Sequence, residues 1–115
     1  MSTKDYQIAG QLAPAANTDG NLLTVAANSQ FIASSICVCN TGGVSDVAKY
    51  RIAVVKNGET LSAKHYIRFD KFLVPGKDDR LTLGITLSEG DRIVVRSNNG
   101  LVSFSLFGCK LTPDS

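Results

Sequence analysis

In "RLTLGITL", Leu81, Leu83, Ile85 and Leu87 alternate with Arg80, Thr82, Gly84 and Thr86. Period-two alternation marks an extended strand with one face buried and the other in water. From Leu22 onward the chain repeats short apolar runs every 8 to 15 residues with turn chemistry between them, and no stretch carries helical periodicity. Such a chain can satisfy its apolar faces only by closing strands over one another, which predicts an all-β antiparallel sandwich, jelly-roll or immunoglobulin-like, of seven or eight strands.

Each run adds a local expectation. In "FIASSICVCN" one parity holds Ile32, Ile36 and Val38, the expected core face. The other parity holds Phe31, Ala33, Ser35, Cys37 and Cys39. Tyr50, Ile52 and Val54 alternate with Lys49, Arg51 and Ala53, and Asn57-Gly58 then supplies the positive φ of a chain reversal. "LSAKHYIRFDKFLVP" is irregular and ends at Pro75-Gly76, so it reads as a strand or two near an edge. Ile93 and Val95 point inward, as do Val102, Phe104 and Leu106 after the Asn98-Asn99-Gly100 turn. At Phe107-Gly108 the apolar parity switches, which predicts a β-bulge.

The 115 residues suffice for one domain with one core, so no disulfide or metal is needed to supplement it. Residues 1–20 differ in kind. They are Ala-rich, contain Pro14 and Asp19-Gly20, and beyond Met1 carry large apolar residues only at Tyr6, Ile8 and Leu12. The expected division is a flexible N-terminal arm over 1–20, the sandwich over 21–112 and a short tail over 113–115. An arm of twenty residues spans up to about 65 Å and can add a strand to a neighbour's sheet edge.

Twelve basic and ten acidic residues leave a net charge of +2, and the basic ones are scattered from Lys4 to Lys110. This is a solvated surface without the clustered Lys and Arg expected of a nucleic-acid binder. No signal-peptide core or membrane span is visible, so the expectation is a soluble chain made in the cytoplasm.

The three cysteines read as free thiols. Cys37 and Cys39, at i and i+2 on a strand, point to one face roughly 7 Å apart, so a disulfide between them is strained. Zinc requires four ligands, commonly with two to four residues between paired cysteines, and here only Cys109 and His65 remain to complete a set. Redox chemistry of the Cys-x-x-Cys type needs a helix N-terminus. The thiols read as small polarizable residues on the non-core side of a strand; where that face meets a neighbouring subunit, oxidation could staple an assembly.

His65 has no Gly-x-Ser-x-Gly nucleophile elbow to serve, and Asp70 has the opposite strand parity. Asp78-Asp79 and the Glu89/Asp91 pair belong to turns, calcium-loop spacing is absent, and no Gly-rich phosphate loop occurs. Tryptophan is missing, so a sugar-stacking platform would rely on tyrosine or phenylalanine. The expectation is therefore no catalytic, metal or cofactor-binding residues.

Taken together, "TVAANSQFIASSICVCNTGG", "YRIAVVKNGETLSAKHYIRFD" and "LTLGITLSEGDRIVVRSNNGLVSFSLFGCKL" resemble a group of small tailed-bacteriophage virion proteins. Their pattern is a "TVPA"-type start, a strand ending Val-Cys-Asn, a "HYI" segment, "LTLGITL", a Gly-Asp turn and a final "SFSxFG" strand. The resemblance covers residues 23 to 111. Ala26 stands where the pattern has proline, Cys39 matches its cysteine, and Cys37 is additional. What the resemblance implies is a non-enzymatic β-sandwich component of the virion. It would work as a trimer or other homo-oligomer that decorates the capsid as a cement protein against the major capsid protein. The alternatives are a tail, collar, baseplate or fibre part, or a receptor- or glycan-binding module. The residues expected to meet a partner are Tyr6, Ile8 and Leu12 on the arm, with Phe31, Cys37 and Cys39 on the non-core strand face.

Overall fold

Eight strands build residues 2–43 and 45–113, which the computed structural model describes. In chain order they are β1 (Ser2–Leu12), β2 (Gly20–Thr24), β3 (Gln30–Asn40), β4 (Ala48–Val55), β5 (Tyr66–Leu73), β6 (Asp78–Leu87), β7 (Arg92–Ser97) and β8 (Val102–Pro113). A single 3-10 turn, Ala63–His65, precedes β5. The strands form two four-stranded sheets, ordered β1-β8-β3-β6 and β2-β7-β4-β5. Every pairing is antiparallel. Only the β4–β5 connection stays within one sheet; each of the others crosses to the opposite sheet. That order is the double Greek key of a jelly roll, which decides between the two sandwich types.

The positive-φ glycines fall where the turn chemistry places them, at Gly58, Gly76, Gly90 and Gly100. The reversal at Asn57-Gly58 does not make a tight hairpin, because residues 56–65 intervene before β5. That segment folds back so that Leu61 and Tyr66 cover Ala53, Val55 and Val94 on the outer face of β4 and β7. As a result Ile93, Val94 and Val95 are buried consecutively, on both faces of β7.

Between the sheets lie Tyr50, Phe104, Ile36, Ile52, Leu106 and Val38, all fully buried. Each such apolar side chain is worth about 1.5–3 kcal/mol relative to exposure. The Tyr50 and Phe104 rings meet edge to face at 6.0 Å, the arrangement that their quadrupoles favour. Leu81 and Leu87 of β6 are buried and Leu83 and Ile85 half-buried, as the alternation requires.

Two expectations change. Residues 2–12, anticipated as part of a free arm, form β1 along the length of β8, from Ser2 opposite Pro113 to Leu12 opposite Phe104. Their sparse apolar residues do not matter for this, because an edge strand is held first by main-chain hydrogen bonds. In β3, Phe31 is buried at 3% exposure and packs in the core, while Ile32 faces outward. The cause is a bulge: Ala33 faces Gly108 and Ser35 faces Phe107, leaving Ser34 as the extra residue. One extra residue reverses the facing of every side chain before it relative to those after it.

The bulge belongs to a crease across the whole sheet. Ala9 is the extra residue of β1 between Ile8 opposite Phe107 and Gly10 opposite Leu106. On the other side β6 takes three steps, from Ile85 to Thr82, for two in β3. The irregularity expected at Phe107-Gly108 is therefore at that level, but the inserted residues lie in the neighbouring strands. Gly108 has its own reason to be glycine: a Cβ there would strike the Ile32 carbonyl oxygen and the Phe31 ring that crosses over it. Asp114 and Ser115 of the expected tail lie outside the described residues.

Candidate interaction surfaces

The crease decides what the outer face of the β1-β8-β3-β6 sheet presents. Register places Tyr6, Cys109, Ile32 and Thr86 in one row across the four strands, and Ile8, Phe107, Ser35 and Thr82 in the next. Tyr6 is 78% exposed, Ile8 58%, Phe107 37% and Ile32 36%. Cys109, in the middle of the first row, is buried. The result is a contiguous apolar patch with hydroxyl neighbours and no charge in either row. A closed sandwich does not require these side chains outside. Without Ser34, Ile32 would face the core with Ile36 and Val38.

Four of the six contact residues expected from sequence lie on this face: Tyr6, Ile8, and the half-buried Cys37 and Cys39. The other two do not. Phe31 is in the core because of the bulge, and Leu12 is half-buried against the core, opposite Phe104. Ile32 and Phe107 join the patch although neither was expected there. Phe107 carried a signal in the parity switch of the last run, whereas Ile32 carried none. Cys37 faces Ser105 and Cys39 faces Ser103, while Cys109 faces Ile32 on the far side of the crease. The three thiols thus share a face without converging, and no cluster of three or more metal-ligating side chains occurs among the described residues.

A second exposed group lies on the opposite sheet. β5 bulges twice where it pairs β4, and Asp70 sits at φ 50. This turns Phe69 and Phe72 into solvent, at 58% and 66% exposure. Arg51 lies 4.2 Å from the Phe69 ring centroid and binds both Asp70 carboxylate oxygens, at 2.7 and 3.3 Å. Lys49 stands 5.1 Å from the Phe72 ring. The Arg51 guanidinium holds the Asp70 carboxyl below its ordinary range. Beside this pair opens a polar cleft of about 210 Å³ lined by Lys49, Asp70, Arg96 and Asn98 among others.

His65 is buried in the segment that covers β4 and β7. Its Nδ1 accepts the Ser62 backbone N–H at 2.9 Å, which assigns the proton to Nε2, and Nε2 donates to Glu59 at 2.8 Å. With Nδ1 already engaged, the ring braces the segment and holds no free lone pair toward the Ser62 hydroxyl, 3.4 Å away. No helix among the described residues is long and apolar enough to cross a membrane.

No family model matches the chain, and no curated protein does. Solved structures do match its fold. A chain of the T13 infectious bursal disease virus particle aligns with a TM-score of 0.56 at 9% identity, over 96% of this chain and 30% of its own. A chain of the VP2 subviral particle of the same virus gives 0.56 at 11%, over 96% and 32%. The chain therefore spans about a third of those proteins. A chain of the acid-stable capsid of Helicobacter pylori bacteriophage KHP30 gives 0.52 at 15% identity, over 99% of this chain and 95% of its own. The protein has the jelly-roll sandwich found in viral capsid structures.

Proposed function

We propose that this protein is a non-enzymatic structural component of a bacteriophage virion, an oligomeric decoration or cement protein seated on the capsid. The observation that carries the reading is the uncharged patch of Tyr6, Ile8, Ile32 and Phe107 on a sandwich whose core is already closed. Exposed apolar side chains in a contiguous patch mark a contact surface. The end-to-end likeness in fold to a chain of similar length from a phage capsid supports the same reading.

Decoration acts by bridging. A copy over a junction between capsid subunits adds contacts that bursting must break, and repeated attachment multiplies weak individual contacts. The partners are other copies of this chain and the major capsid protein, and the site of action is the virion.

A second reading, a glycan- or receptor-binding module at a tail or fibre, is favoured by Phe69 and Phe72 beside the polar cleft. Substituting Ile8→Lys and Phe107→Lys separates the two. The decoration reading expects loss of incorporation into particles with little change in melting temperature. Full incorporation of the double variant, or labelled-antibody microscopy that finds the protein only on the tail, overturns it.

A further inference from the structure

The N-terminal strand combines a strand's hydrogen bonding with an arm's composition. β1 makes ten register pairs with β8, from Ser2–Pro113 to Leu12–Phe104. Yet Tyr6 and Ile8 are mostly exposed, and only Ala9 and Leu12 reach the core, each partly buried. What holds β1 is chiefly the main chain of β8, an edge that every copy of the protein offers in identical form.

The connection behind β1 allows it to leave without disturbing the rest. Ala13 is exposed, and Pro14 after it is buried. The proline restricts Ala13 to extended conformations, and an extended link can carry the strand outward from the body. Beyond Pro14 the loop is pinned to the body. The Asn17 N–H donates to the Ser97 carbonyl at 2.7 Å, the Thr18 N–H to Ala15 at 3.2 Å, and Arg96 meets Asp19 at 3.4 Å. β1 is also the terminal strand of its sheet, so its departure leaves β8, β3 and β6 covering Ile52, Val95 and the remaining core.

We propose that β1 is exchanged between copies, residues 2–12 of one chain completing the β8 edge of its neighbour. This rests on the oligomeric reading above and specifies how copies are joined. Exchange conserves the β1–β8 register, so the balance between home and neighbouring β8 is set by the hinge and by local concentration. An eleven-residue strand reaches about 35 Å, enough to cross to an adjoining sandwich. In an assembly every copy both gives and receives a strand, and the patch residues Tyr6 and Ile8 travel with it.

The chain carries half of the test already, because Cys109 is the register partner of Tyr6. Antiparallel partners stand about 4.5–5.5 Å apart at Cα, within disulfide range. Tyr6→Cys is made with Cys37→Ser and Cys39→Ser, the assembled protein is oxidised, and it is run denatured without reductant. Exchange gives covalent multiples of the 12.2 kDa chain. Internally linked monomers overturn it. Native mass of the unsubstituted protein, measured beforehand, separates the two readings: an oligomer leaves the decoration proposal standing, and a monomer removes both. Lys4→Cys with Leu111→Cys in a Cys37→Ser, Cys39→Ser and Cys109→Ser background repeats the test at a second register pair, should the first variant fail to fold.

Discussion

The Tyr50 hydroxyl, on β4 of one sheet, donates a 2.7 Å hydrogen bond to the Asp79 carboxylate on β6 of the other. Lys71 of β5 completes the contact at 3.3 Å from the same carboxylate. The open side of the sandwich, between β6 and the β4–β5 pair, is thus closed by a polar clasp at the rim of an apolar core.

The clasp makes stability depend on pH in a defined direction. The bond from Tyr50, aided by Lys71, lowers the Asp79 pKa, and burial raises that of Tyr50. A carboxyl with a depressed folded pKa contributes stability above its unfolded value, about 3.9, and loses it as pH falls through the folded one. The phenol, with a raised folded pKa, loses its contribution as pH rises above about 10. Tyr50→Phe is expected to cost about 2 kcal/mol at neutral pH, the scale of a hydrogen bond to a charged group. It should also lose less stability on acidification than the parent, in urea titrations at neutral pH and near pH 3. An acid limb identical to the parent's would show that Asp79 gains nothing from Tyr50.

Gly108→Ala tests the crease. Its Cβ would meet the Ile32 carbonyl and the Phe31 ring, and a backbone oxygen cannot swing aside as a side-chain end can. The expected cost is about 3 kcal/mol, the upper end of overpacking penalties, read as a lower urea midpoint. Gly84→Ala, with open space around it, is the control and should change stability little.

Asn40 is buried at the mouth of the β3–β4 loop, where its amide donates to the carbonyls of Asp46 and Leu73, at 2.7 and 2.8 Å. Its side-chain oxygen accepts the Gly42 N–H at 2.9 Å. Asn40→Leu leaves three main-chain groups without that partner, at an expected cost of about 3 kcal/mol. Thermal unfolding should fall by about 10 °C; a shift under a few degrees would mean that water replaces the amide.

The His65 brace is expected to govern the covering segment rather than the core. In His65→Ala the Ser62 N–H loses its acceptor, and hydrogen exchange at that amide should speed up markedly while Ile52 and Val95 stay protected. Uniform acceleration would instead place His65 in the global folding unit.

Thiol reactivity reports on the outer sheet face. Cys37 and Cys39 are half-buried and Cys109 is buried, so brief alkylation of the native chain should add two labels, and a third only on unfolding. Mass spectrometry counts them. Early labelling of Cys109 would indicate that β1 leaves β8 readily.

Much of the architecture follows from residue order alone. The alternation of Leu81 to Leu87 and of Val102 to Leu106 requires strands with one buried face, and Gly58, Gly76, Gly90 and Gly100 mark chain reversals that need left-handed backbone. Those are local properties, set by side-chain periodicity and by the steric freedom of glycine. The bulges at Ala9 and Ser34 are not local. They depend on what Phe107 and Gly108 meet across the sheet, and no periodicity within "FIASSICVCN" indicates that its facing reverses at Ser34.

The same division explains the surface. Tyr6 and Ile8 could be read as contact residues because they are isolated apolar side chains in a polar segment. Ile32 and Phe107 could not be placed beside them until strands more than seventy residues apart were brought into register. Side-chain periodicity determined that this chain would be a two-layered β structure. Only the pairing of distant strands decided which apolar residues remain outside, because a strand's facing is fixed by its neighbours' register as well as by its own sequence.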